Sequence, residues 1–238
     1  VPADVQQAAL AAAQAEGKEG YKLTLKMPCY LPVMQFAQSG ALRETLYHAH
    51  VTRASDQSSG DAAQYDNTAL IQEILALRQE EAQLLGYPNF GEVSVVPKMA
   101  SSADEVITFL RDLAVRARPY AEKDVADLRA FAAESLSLSE PQAWDWPYVA
   151  EKLKEARYAF SEQEVKPYFT APKVLAGLFK IIETLFDVAI RPDTGVLQTP
   201  IAHLVCNFAS GVDGKPALLT HDDVITLFHE FGHGLHHL

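Results

Sequence analysis

The sequence predicts a mainly α fold with a minor β component beside its last helix. Three observations carry that expectation. Apolar residues recur at intervals of three and four through most of the 238 residues. Proline, glycine and capping residues divide these stretches into helix-sized pieces. One short apolar, partly β-branched run, Ile201 to Phe208, stands just before the final helical stretch.

The first twenty residues are rich in Ala and Gln, which favour helix, and close on the breakers Gly17 and Gly20. In GYKLTLKMP, Tyr21, Leu23, Leu25 and Met27 alternate with Lys22, Thr24 and Lys26. That is the period-2 pattern of a half-buried strand, closed by Pro28. CYLPVMQFAQSG reads as a short apolar helix ending near Gly40, and ALRETLYHAHVTRAS as another. A polar loop covers Ser58 to Asp61. In DNTALIQEILALRQEEAQLLGYPN the apolar positions 70, 71, 74, 75, 77, 84 and 85 keep one face of a long helix, stopped by Gly86 and Pro88.

Ser102 with Glu105 three residues on is a capping box that opens the next helix, which Pro119 is expected to kink because proline has no N–H to donate. WPYVAEKLKEARYAF and APKVLAGLFKIIETLFDV follow, with Pro147 and Pro172 in their first turns. Charged pairs such as Glu151 with Lys154 read as solvated faces. Beyond residue 190 the pattern changes: Ile201 to Phe208 reads as a strand, and Ser210, Gly211, Asp213 and Gly214 as the turn after it. The expected division is therefore a helical region over 1–190, and a strand, loop and last helix over 191–238.

Composition narrows the partners. With 20 basic against 31 acidic side chains the net charge is −11, which repels a phosphate backbone and leaves no basic stripe for an anionic membrane. Neither nucleic acid nor membrane is expected as a partner, and no apolar run reaches the roughly 18 residues of a membrane-spanning helix. Cys29 and Cys206 are far apart and form no C-x-x-C pair, so a monomeric, cytoplasmic chain with reduced thiols is expected. The first residues show no secretory pattern and no initiator Met, which suggests a beginning further upstream.

The last helical stretch, THDDVITLFHEFGHGLHHL, carries the chemistry. Thr220 is a good N-cap, and Asp222 and Asp223 sit where the helix dipole favours negative charge. Val224, Phe228, Phe231, Leu235 and Leu238 form the stripe of a helix laid on a core. His229 and His233 lie on another face, four residues and about 6 Å apart along the axis, so both imidazoles can reach one ion at about 2 Å. Glu230 is offset by about 100°, beside the pair and off the ligand line. This is H-E-x-x-H on a helix, the context in which two histidines hold Zn2+ and the glutamate serves as general base towards an activated water.

His236 shares a face with His229, but an axial span of about 10.5 Å is too long for three histidines of one straight helix to converge on a single ion. A third ligand is expected from another element. His48, His50, His203 and His221 lie outside any ligand spacing to the pair, although His203 could line a cleft. Gly232 and Gly234 each cost about 1 kcal/mol against Ala in a helix interior, so a close approach by a neighbouring backbone or an extended peptide is expected there.

FHEFGHGLHHL, THDDVITL, LQTPIAHLVCNF, VDGKPALL and the upstream MPCYLPVMQFAQ together resemble the thimet-oligopeptidase family of zinc metallopeptidases. The resemblance implies a multi-helical metallopeptidase fold with two lobes flanking a deep channel that admits short unstructured peptides. Residues 1–190 would form part of its walls, and 191–238 would carry the catalytic helix. It implies His229 and His233 as the first two zinc ligands and Glu230 as general base. In that family the third ligand is a glutamate on a later helix, and a downstream His and Tyr steady the oxyanion. The sequence stops before all three. It also runs from Ile190 straight into RPDTGVLQTP, where the family carries a long inner segment. The expected reading is thus an incomplete metalloendopeptidase chain, inactive by itself; the alternative is a non-catalytic helical domain that binds peptides or a protein partner in a groove.

Overall fold

The computed structural model describes residues 1–190, 203–212 and 214–237, with the His237 side chain excepted. Ten α-helices occur among the described residues: α1 Ala3–Gln14, α2 Met27–Phe36, α3 Gly40–Val51, α4 Thr68–Leu84, α5 Phe90–Val95, α6 Ala103–Leu136, α7 Trp146–Tyr158, α8 Glu162–Val165, α9 Ala171–Phe186 and α10 His221–His237. The mainly α expectation holds. None of the described helices is long and apolar enough to cross a membrane.

The chain divides into two units, Val1–Arg43 with Ala150–Leu238, and Glu44–Val149. In the first, α1 packs against α2, burying Val5, Ala9 and Ala13 from one helix face and Val33 and Met34 from the other helix. Lys166, buried in the turn before α9, donates to Asp4 Oδ2 at 2.8 Å and so ties that turn to α1 across 162 residues of sequence. A second core is built by Val174, Leu178 and Ile182 of α9 with Leu219 and Leu227. Their spacing of four along α9 sets one continuous buried stripe.

In the second unit, α4 turns through Gly86, which takes φ +81° where an L side chain is strained, into α5 and then α6. Asn89 caps α5 by accepting from Glu92 N at 3.1 Å, and Glu92 in turn accepts from Ala103 N at 3.2 Å at the head of α6. The Arg78 guanidinium lies 4.9 Å from the Phe90 ring centre. The cap of α6 differs from the expected box by one residue. Ser102 Oγ accepts from Glu105 N at 3.1 Å, but the Glu105 carboxylate accepts from the Ser101 amide and hydroxyl, at 2.7 and 2.5 Å. Those bonds hold Glu105 below the usual carboxylate range, the hydroxyl first and the amide second. Pro119 sits inside α6 without ending it.

Three expectations are corrected. Residues 21–26 form no strand, and Met27 already begins α2. The alternating segment finds no partner ladder: Lys22 N donates to Ala9 O of α1 at 2.9 Å, and Tyr21 is left exposed. Gly40 opens α3 instead of closing α2, whose last residue is Phe36. Within Ile201 to Phe208, residues 201 and 202 lie outside the described residues, and 203–208 carry no strand pairing. Among the described residues the β component is one antiparallel bridge, Thr170 with Leu218, immediately before α10.

Candidate metal centre

α10 is started by a reciprocal cap. Asp223 N donates to Thr220 Oγ1 at 3.1 Å, and Thr220 N donates to Asp223 Oδ2 at 2.8 Å. The two bonds satisfy amides that the first helical turn leaves unpaired, and they fix the register of every residue after them. The bridge to α9 anchors the same point from outside: Ala171 N donates to Ala217 O, and Leu219 N to Phe169 O, both at 2.9 Å. From this start α10 lays Val224, Leu227, Phe228, Phe231 and Leu235 on the α9 core, with Phe231 and Phe179 ring centres 6.1 Å apart. The predicted stripe is observed, with Leu227 added as its most buried member; Leu238 lies outside the described residues.

Burying that stripe turns His229 and His233 outward. Both are exposed, and their Nε2 atoms are 3.1 Å apart, with the ring planes at 84°. Two nitrogens bound at about 2 Å to one tetrahedral zinc ion stand about 3.3 Å apart, close to the spacing of this pair. At that distance one Nε2–H can donate to the other Nε2 lone pair, the roles being set by the tautomers. Glu230 is partly buried on the adjacent face of the helix. Among the described residues no three His, Cys, Asp or Glu side chains are grouped to hold a metal ion.

One neighbour of Glu230 was not legible from spacing. Cys206 packs on the α9 and α10 core, and its thiol is pushed above the usual range by burial, then by the charges of Glu230 and Asp223. Cys206 and Phe208 both join the core, while Val205 and Asn207 between and beside them are exposed, as are His203 and Leu204. That period-2 alternation is the signal in the sequence that placed Cys206 on the inner side. The segment is held by the turn that follows it. Lys215 N donates to Val212 O at 3.0 Å, and a Cβ on Gly211 would come within 2.3 Å of Lys215 O.

His221 begins α10 with its ring 6.4 Å from Phe169. His48 stacks near Tyr47 and Trp144 in the second unit. His203 is exposed. The expectation of close packing at Gly232 and Gly234 is not met by the described residues: a Cβ at either position meets nothing within 4 Å.

Comparison with known proteins accounts for the helix and its surroundings together. The model of peptidase family M3 matches residues 33–197 and 193–238. Oligopeptidase A of Salmonella typhimurium is 41% identical over 290 aligned positions that include the whole of this chain, which spans 42% of that relative's length. A probable cytosolic oligopeptidase A of Arabidopsis thaliana is 36% identical over 91% of this chain and 38% of its own. Dipeptidyl carboxypeptidase of Salmonella typhimurium is 29% identical over the whole chain and 42% of its own length. The alignment with the first is longer than the chain, and the two family matches meet at 193–197, where the sequence lacks the inner segment that the resemblance implies. The chain belongs to peptidase family M3, a family of metallopeptidases.

Proposed function

We propose that this chain carries part of the active site of a zinc-dependent metalloendopeptidase that hydrolyses peptide bonds in short unstructured peptides. The observation that supports it best is the meeting of His229 and His233 Nε2 at 3.1 Å on the face of a capped helix in a family M3 chain. His229 and His233 would hold the ion through Nε2, each as the neutral ring with its proton on Nδ1. Zinc held there supplies a Lewis acid that polarises the scissile carbonyl and makes a nearby water more acidic.

Glu230 does the proton work. Its carboxylate accepts the proton of the attacking water as the new C–O bond forms, then delivers that proton to the leaving amine as the C–N bond breaks. The resemblance implies a third ligand, a glutamate on a further helix, outside the described residues. Because the chain spans 42% of the Salmonella typhimurium relative, the activity is proposed for the assembled protein. Two ligands of three predict weak metal binding and little or no peptide hydrolysis by this chain alone. A cytoplasmic, monomeric protein fits the reduced cysteines, which are both free, and the name of the Arabidopsis thaliana relative.

The test is a cobalt titration of the purified chain followed by visible absorption and calorimetry. One weak site is expected, lost in His229→Ala and in His233→Ala and retained in Glu230→Gln. Binding that ignores both histidine substitutions would overturn the assignment, and a tight site in this chain would overturn the need for a third ligand.

A further inference from the structure

Lys166 takes no part in the histidine pair, yet it is only 6% exposed, and a buried ammonium needs a fixed partner. That partner, Asp4 Oδ2 at 2.8 Å, stands in the first turn of α1, 162 residues away in sequence. Asp4 is itself held in place, because Val5, Ala9 and Ala13 bury one face of α1 where it packs against α2. The ion pair therefore joins the α1 and α2 core to the turn that enters α9.

From Lys166 the connection continues to the metal helix through the backbone. Phe169 N donates to Lys166 O, Leu219 N donates to Phe169 O, and Ala171 N donates to Ala217 O, all at 2.9 Å. Leu219 precedes Thr220, whose reciprocal cap with Asp223 starts α10. The Phe169 ring packs on the α9 and α10 core and lies 6.4 Å from the ring of His221. Directional bonds thus run from α1 to the first turn of α10.

Stability alone does not call for such a pair, since apolar side chains of similar volume often replace a buried ion pair without loss. What directional bonds supply and apolar contact does not is position. The stripe on α9 fixes the rotation of α10 about its own axis, whereas its start fixes tilt and slide. His233 stands about 20 Å beyond Thr220 along that axis, so a tilt of about 3° at the start moves its ring by about 1 Å. Metal–ligand distances tolerate about 0.2 Å, so that shift is enough to part the pair from a ligand on another element.

We propose that Lys166 and Asp4 are positioning residues for the metal pair: they fix the start of α10 and, through it, where His229, Glu230 and His233 stand. The inference rests on the metal reading for what is positioned.

The experiment compares the purified chain with Lys166→Met, Asp4→Asn and Lys166→Arg. Asp4 is partly exposed, so Asp4→Asn carries the test if Lys166→Met does not fold. In the folded Met and Asn variants, exchange of the Ala171 and Leu219 amides is expected to speed up about tenfold while amides inside α4 are unaltered. Cobalt added to the chain then reports position, through the pseudocontact shifts it induces at α9 amides. Those shifts are expected to change by an amount equivalent to about 1 Å of displacement, and to return in Lys166→Arg. The cobalt Kd is expected to change less than about twofold, because both histidines ride on one helix. A merely structural role would do the reverse, weakening cobalt binding as helix is lost and leaving the shifts of the bound form in place. That outcome overturns the proposal, as do unchanged exchange and shifts in the folded variants, or shifts that Lys166→Arg does not restore. If the unaltered chain shows no histidine-dependent cobalt binding, the metal reading fails by itself. Exchange at Ala171 and Leu219 then decides whether the ion pair fixes the start of α10.

Discussion

His229 and His233 present their Nε2 atoms to each other at 3.1 Å across one turn of α10, with ring planes nearly perpendicular. The separation follows from two local facts, a spacing of four residues and a helix whose opposite face is committed to the α9 core. Rotating α10 to expose its apolar stripe would turn both rings inward. The packing of Val224, Leu227, Phe228, Phe231 and Leu235 therefore positions the pair as firmly as any bond to the histidines themselves.

Glu230 is the group whose loss separates binding from chemistry. In an assembled, metal-loaded enzyme, Glu230→Gln is expected to lower kcat by about 10² to 10⁴ while KM for a short fluorogenic peptide changes little, since only proton transfer is removed. Steady-state kinetics check this. Turnover at the unaltered rate would instead favour the reading of a domain that binds peptides without cleaving them.

Cys206 reports on Glu230 without any metal. Its thiol is pushed upward by burial, with the carboxylates of Glu230 and Asp223 adding to the effect. At neutral pH it is therefore less ionised than an ordinary thiol. Alkylation by iodoacetamide, followed by mass spectrometry, should be slow near pH 7 to 8 and should speed up only above the ordinary thiol range, about 8.5. Glu230→Gln removes one negative charge and should shift that profile to lower pH. An unchanged profile would show that the two side chains do not sense each other.

Gly232 and Gly234 give a stability test. Both lie inside α10 with open space where a Cβ would go. Replacement by Ala is expected to stabilise this chain by about 0.5–1 kcal/mol each, a gain of a few degrees in Tm, because the helix no longer carries glycine's conformational entropy. A fall in Tm would show that a neighbour occupies that space.

Gly211 should behave in the opposite way. A Cβ there would stand 2.3 Å from the backbone oxygen of Lys215, which cannot move without opening the turn that Lys215 N closes on Val212 O. Gly211→Ala is expected to cost about 1–3 kcal/mol, read by urea denaturation, and to expose Cys206 to faster alkylation.

The failures of sequence reading have a common physical origin. The segment 21–27 has the alternation of a strand, yet a strand is made by its partner, and the backbone of Lys22 finds α1 instead. In residues 205–208 the alternation holds, with Cys206 and Phe208 inward, but Leu204 is exposed and no ladder forms beside the segment among the described residues. Period 2 states which way side chains point and not whether another chain segment lies alongside. The capping box at α6 erred by one residue for a similar reason, since Ser101 offers Glu105 both a hydroxyl and an amide and the carboxylate takes them.

The sequence by itself determined what is local to a helix: the extents of α4 and α10, the Thr220 cap, and the spacing that puts His229 and His233 on one face with Glu230 beside them. Hydrogen bonds and side-chain spacing in a helix span three or four residues, so the pattern is complete within a short stretch. Only the tertiary structure decided that Lys166 answers Asp4, that Cys206 packs on the α9 and α10 core within reach of the Glu230 charge, and that Thr170 and Leu218 bridge just before α10. Those relationships join residues far apart in the chain, and no periodicity in either segment encodes the identity of the other.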